Sequence, residues 1–95
     1  MEPGRLIFRV HAIRRMADRD ISVSDVRAVL ESGEVIESYP DDTPFPSKLV
    51  LSHIGQRPLH VVAAHDQDNG RTFIVTVYEP DAAQWDPTFR RRLDR

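Results

Sequence analysis

The run His11-Ala12-Ile13-Arg14-Arg15-Met16-Ala17-Asp18-Arg19 gathers one imidazole and three guanidiniums within a helix-sized stretch. At about 100° per residue, Ala12, Ile13, Met16 and Ala17 fall on one side of a helix. His11, Arg14, Arg15, Asp18 and Arg19 fall on the other. Such a helix docks through a small apolar stripe and presents groups suited to a phosphate-bearing partner. The ordinary alternative is a solvated charged face.

A second group comes from strand parity. In the stretch after Gly70, Phe73, Val75 and Val77 share one face, and Thr72, Ile74, Thr76 and Tyr78 the other. Upstream, Leu59, Val61 and Ala63 oppose His60, Val62 and Ala64. If the apolar sets face the helices, His60, Thr76 and Tyr78 emerge together on an uncovered sheet face. An imidazole, a phenol and a hydroxyl there form an acid/base and phosphate-contact group. Alternatively, Thr and Tyr stand there for strand propensity alone.

Other candidates are weaker. His60 and His65 lie five apart on one strand, hence on opposite faces, and no cysteine or carboxylate pair accompanies them, which argues against a metal. Asp41-Asp42 reads as turn chemistry. Ser47 and Lys48 read as an exposed strand start. The four glycines show neither GxGxxG nor P-loop spacing. The Arg90–Arg92 run could grip a polyanion, or be a frayed basic tail.

The elements that must position these residues follow from local signals. Arg5 to Val10 reads as an extended lead-in with Leu6, Phe8 and Val10 on one face. A first helix covers roughly 11–19. Ser22 and Asp25 make a capping arrangement, with Ile21 and Val26 at the staple positions. Val26, Val29 and Leu30 form an apolar stripe, and Gly33 closes a second helix over roughly 23–32. Strands are expected at 34–39, 47–54, 57–65 and 71–79. Between them lie a proline-rich loop at 40–46, a Gly55-Gln56 hairpin turn and an Asn69-Gly70 turn. Pro80 ends the last strand. The tail, with Trp85 and Phe89, lays an aromatic onto the domain. Helices followed by strands indicate an α+β fold, with two helices covering one face of a four-stranded antiparallel meander. The other face then needs a ligand, a partner, the tail or polar side chains.

Residues 1–95 fit one small domain. The absence of cysteine excludes disulfides and Cys-ligated zinc. No apolar run approaches the roughly 20 residues of a membrane span, and no signal-peptide core is evident. The expected setting is soluble and cytoplasmic, without a membrane partner, and a homodimer is compatible with so short a chain. Net charge is −2, but the layout is uneven: Arg5–Arg19 and the tail are basic, and Asp20–Asp42 is acidic. That speaks against a whole-molecule nucleic-acid footprint and leaves room for a local one.

The ordered set HAxxRM from His11, VIxxY from Val35, RPLHVV from Arg57 and TVYEPD from Thr76, with Trp85 beyond, resembles the domain-of-unknown-function 4258 family over about residues 8–92. The HAxxR spacing selects Arg15, with Arg14 an extra. That family is similar to small RelE/MqsR-type toxins of bacterial toxin–antitoxin systems, some of them beside zinc-finger antitoxins. The resemblance implies a RelE-like fold, metal-independent and cofactor-free RNA cleavage, and an antitoxin protein as partner. Placed on this sequence, the pattern comprises His11, His60 and Tyr78 as catalytic groups and Arg15, Arg19 and Arg57 as phosphate clamps. The expected reaction is attack of an RNA 2′-hydroxyl on the adjacent phosphate. Two rivals are a non-catalytic protein-binding module, resting on Val62, Ala64 and Ile74 as an exposed apolar surface, and an inactivated toxin homologue kept as a regulator.

Overall fold

A computed structural model describes residues 2–93. The last two residues of the basic tail, Asp94 and Arg95, lie outside the described residues. The elements in chain order are β1 (Arg5–Phe8), α1 (Val10–Arg19), α2 (Val23–Ser32), β2 (Glu34–Tyr39), β3 (Ser47–Ile54), β4 (Arg57–Asp66) and β5 (Arg71–Tyr78).

The sheet has five strands in the order β1-β5-β4-β3-β2, not four. Strands β2 to β5 form the expected antiparallel meander, but β1 adds to the far edge, parallel to β5, from Arg5↔Arg71 to Phe8↔Ile74. The sheet is therefore mixed, and the four-stranded RelE-like arrangement is overturned. The lead-in was legible as extended chain. Its partner sits at the other end of the sequence, and no turn signal marks a parallel pairing.

Helix α2 forms where its caps dictate. Ser22 Oγ accepts the Asp25 N–H at 3.0 Å, and the Asp25 carboxylate accepts the Ser22 N–H at 3.0 Å. Ile21 and Val26 are both buried. Gly33 closes the helix at a point of close approach: a Cβ there would sit 2.3 Å from the Val29 carbonyl oxygen and 2.6 Å from a Val50 methyl. Helix α1 docks more narrowly than its sequence suggests. Ala12 and Met16 are buried, whereas Ile13 is 52% exposed and Ala17 is also exposed. It packs on β5 near the edge of the sheet, so one seam one turn apart is all it buries. Val10, expected in the lead-in, opens the helix and is exposed.

One register shift re-sorts the faces. Val62 pairs with Thr76 and Ala63 with Ile74, leaving Val75 as an extra residue in β5. Ile74 and Val77 therefore both join the helix-side core with Leu59, Val61 and Ala63. Phe73 moves to the opposite face, and Val75 is exposed at the bulge. The simple alternation of Phe73, Val75 and Val77 fails because a bulge adds one residue to a period of two. Leu49 and Leu51 alternate with Val50 and are buried on the face away from the helices. The C-terminal tail covers that face.

Candidate functional site

Tyr78 and His60 are direct cross-strand partners on the tail-covered face, with Thr76 beside them. The face is not open. Trp85 is 3% exposed and meets the His60 ring edge-on, with centroids 4.5 Å apart. His60 itself is fully buried. The tail is latched to β2 by two ion pairs, Arg90 with Glu34 at 3.0 Å and Arg92 with Glu37 at 3.2 Å. The Arg92 guanidinium also lies over the Trp85 ring, 4.6 Å from its centroid. Ile74 and Ala64 are buried and Val62 half-buried, so the exposed apolar surface expected from these three does not exist.

The buried imidazole is fully partnered. His60 Nε2 lies 2.9 Å from the Phe89 carbonyl oxygen, which can only accept, so Nε2 carries the hydrogen. Burial, with Arg92 assisting, pushes the imidazole below its ordinary pKa against the opposing pull of the Phe89 carbonyl and Glu37. The ring is thus neutral, and Nδ1 holds a lone pair. The Tyr78 hydroxyl, 3.1 Å away, donates to it. Burial also raises the Tyr78 phenol, so it keeps its proton at neutral pH.

Tyr78 has a second exposure. It lines a cleft of about 520 Å³ between α1, the end of β5 and the start of the tail. One wall is the stripe His11, Arg15 and Arg19, four residues apart on α1. Thr76 and Tyr78 come from β5, and Trp85 and Arg92 from the tail. The polar face of a helix packed squarely on a sheet would point away from the sheet. Here the helix sits near the edge, and β1 pairs with β5 only as far as Ile74. The stripe thereby shares a cleft with the end of β5.

The charges in the cleft are unequally engaged. Glu79 is held by Arg57 at 2.7 Å, and Asp81 accepts the Ala83 N–H at 2.8 Å. Arg92 is tied to Glu37. Arg15 and Arg19 have no side-chain hydrogen bond or ion pair among the described residues. Two free guanidiniums and an imidazole face a space large enough for a nucleotide phosphate.

Arg57 is elsewhere employed. Its Nη1 donates to the Asp20 carbonyl at 3.0 Å, its Nη2 to the Arg19 carbonyl, and its Nε to Glu79. It closes the C-terminus of α1, where Asp20 turns left-handed at φ 54° and the last carbonyls lack helical partners. Of the six candidates, His11, Arg15, Arg19 and Tyr78 line one cleft, His60 lies directly behind Tyr78, and Arg57 stands outside as a clamp on the helix end. As expected of the tail, Trp85 packs onto the domain; sequence reasoning did not place it over His60, nor find Arg92 and Glu37 as its latch. The signal was there: acids at 34 and 37 in an edge strand match bases at 90 and 92 in the tail.

His60 and His65 do lie on opposite faces. His65 Nδ1–H donates to Thr72 Oγ at 2.9 Å, and Thr72 donates to the Pro3 carbonyl at 2.6 Å, tethering the N-terminus. Among the described residues no three metal-donor side chains gather, and no helix is long and apolar enough to cross a membrane.

Compared with known families, residues 8–79 match the model of a domain of unknown function, DUF4258. The chain belongs to the DUF4258 family. Neither the curated proteins nor the solved structures yield a match. The matched stretch of this DUF4258 domain runs from the end of β1 through the last strand, and so contains the α1 stripe, His60 and Tyr78. It stops before the tail that covers His60.

Proposed function

We propose that this domain is a metal-independent RNA endonuclease of the toxin kind, acting in the cytoplasm and held in check by an antitoxin protein. The observation that carries the reading is the shared cleft: an imidazole, two unpaired guanidiniums and a phenol, from α1 and β5, around one phosphate-sized space. Arg15 and Arg19 grip the scissile phosphate and steady the charge that builds on it. The nucleophile is the substrate's own 2′-hydroxyl. His11 and Tyr78 supply groups that accept or donate the moving protons.

The test uses purified protein and a short RNA in the presence of a chelator. Cleavage leaving a 2′,3′-cyclic phosphate, abolished by a 2′-deoxy substitution at the scissile nucleotide and by Arg15→Ala, supports the reading. Cleavage of an all-DNA strand refutes it. A second reading, a non-catalytic protein-binding module, is favoured by Val10 and Ile13, apolar and exposed on α1. It wins if purified protein cuts no RNA and induced expression does not slow growth.

A further inference from the structure

We propose that Tyr78 and His60 form a proton relay that removes the 2′-hydroxyl proton, leaving His11 as the acid. The inference rests on the cleavage reading above and assigns the direction of proton flow within that site.

The direction follows from hydrogen-bond polarity. The Phe89 carbonyl fixes the hydrogen of His60 on Nε2, so Nδ1 is the acceptor and the Tyr78 hydrogen points inward. With its hydrogen turned to His60, the phenolic oxygen of Tyr78, a residue that lines the cleft, has only lone pairs left to offer a substrate. It is an acceptor backed by a buried base. A tyrosine whose hydrogen pointed into the cleft would be a donor; this one is set the other way. His11, the only imidazole lining the cleft among the described residues, is the remaining proton donor for the departing oxygen.

The step balances. The substrate 2′-oxygen forms a bond to phosphorus and gives its proton to Tyr78 Oη. Tyr78 passes its own proton to His60 Nδ1. The bond from phosphorus to the 5′-oxygen breaks, and that oxygen takes a proton from the His11 imidazolium. The products are a 2′,3′-cyclic phosphate and a 5′-hydroxyl. Once the product leaves, the proton held by the buried His60 returns through Tyr78 Oη to solvent in the cleft, and His11 regains one from solvent.

The charged and titratable groups around His60 suit a transient cation. Tyr78 faces it from β5, Glu37 acts on it from β2 and Arg92 from the tail, while Trp85 closes the space over the ring. Glu37 favours the protonated ring, and Arg92 opposes it while tied to Glu37. Burial keeps the resting ring neutral, as a base must be.

Two measurements test the relay. Long-range proton–nitrogen NMR on labelled protein reads the His60 tautomer without RNA. The Nε2–H form at pH 7 is expected, and the Nδ1–H form or a charged ring overturns the relay. Kinetics on an RNA with one scissile linkage then compare His60→Gln, which can still hydrogen-bond to Tyr78 and Phe89 but cannot take a proton, with Tyr78→Phe. Each is expected to lower kcat about 100-fold or more, with the double variant no worse than either single one. The wild-type kcat/KM has a rising limb below the usual imidazole range, where His60 becomes neutral, and His60→Gln lacks that limb. Circular dichroism establishes that both variants fold. Wild-type kcat in His60→Gln overturns the relay and leaves the cleavage reading standing. No cleavage by the wild type, with the tautomer as expected, sinks the cleavage reading and the relay with it.

Discussion

The indole of Trp85 stands edge-on against the imidazole of His60, their planes 86° apart, and shuts that ring away from water. The tail thereby converts a polar sheet face into a second, smaller buried layer. It leaves Tyr78 as the connection between the buried imidazole and the cleft.

That contact predicts a strong dependence of folding on Trp85. Removing a buried indole costs about 3–5 kcal/mol, a large share of the stability of a small domain. Trp85→Ala is expected to lower Tm sharply or prevent folding, and Trp85→Phe to be tolerated better. Trp85 is the only tryptophan, so its fluorescence reports the tail directly. In urea, its midpoint should coincide with that from circular dichroism if the tail and sheet unfold together.

His60 gives stability a pH dependence with a definite sign. Its folded pKa lies below the unfolded value because burial disfavours the charged ring. As pH falls through the unfolded imidazole range, near about 6.5, the unfolded chain binds a proton that the folded chain refuses. Stability is therefore lost going down in pH and flattens once the folded ring titrates. Thermal melts between pH 7.5 and 5 are expected to show a steeper loss for the wild type than for His60→Gln. Equal slopes would mean that the ring is not held neutral.

Arg57 is a structural clamp, and its variants separate stability from binding. Arg57→Ala removes charge-assisted hydrogen bonds to two helix-terminal carbonyls and is expected to cost about 2 kcal/mol. Arg57→Lys cannot reproduce the forked contact and recovers little of it. Both should show a lower Tm and an RNA affinity that is unchanged at temperatures where the protein is folded.

Arg15 and Arg19 behave in the opposite way. Neither supports the fold through a partner among the described residues, so alanine variants should melt within a few degrees of the wild type. Each should weaken RNA binding about tenfold, with a shallower dependence on salt. Competition by inorganic phosphate against a fluorescent RNA measures this. Unchanged affinity in both variants would place the phosphate site elsewhere.

Gly33→Ala places a methyl within 3 Å of the Val29 and Leu51 carbonyl oxygens and of a Val50 methyl, so the backbone must shift to admit it. Overpacking of this kind costs about 2 kcal/mol. A urea midpoint equal to that of the wild type would mean that the C-terminus of α2 shifts freely.

Local chemistry made much of the chain legible. Ser22 and Asp25 mark the start of α2 because capping joins residues three apart. Gly55-Gln56 and Asn69-Gly70 mark their turns, and His11, Arg15 and Arg19 fall on one stripe because a helix repeats every 3.6 residues. Pairing across the whole chain decided the rest. Val75 is a bulge only relative to β4, and β1 is a strand only because β5 is there to receive it. Arg57 faces a helix end rather than a phosphate because the ends of α1 and β5 meet. His60 is buried because Trp85 and the Arg92–Glu37 latch return over it from a tail that could equally have frayed. Periodicity and capping are set within a few bonds of the residues concerned. Pairing, burial and the polarity of a hydrogen bond depend on groups brought together only when the sheet closes.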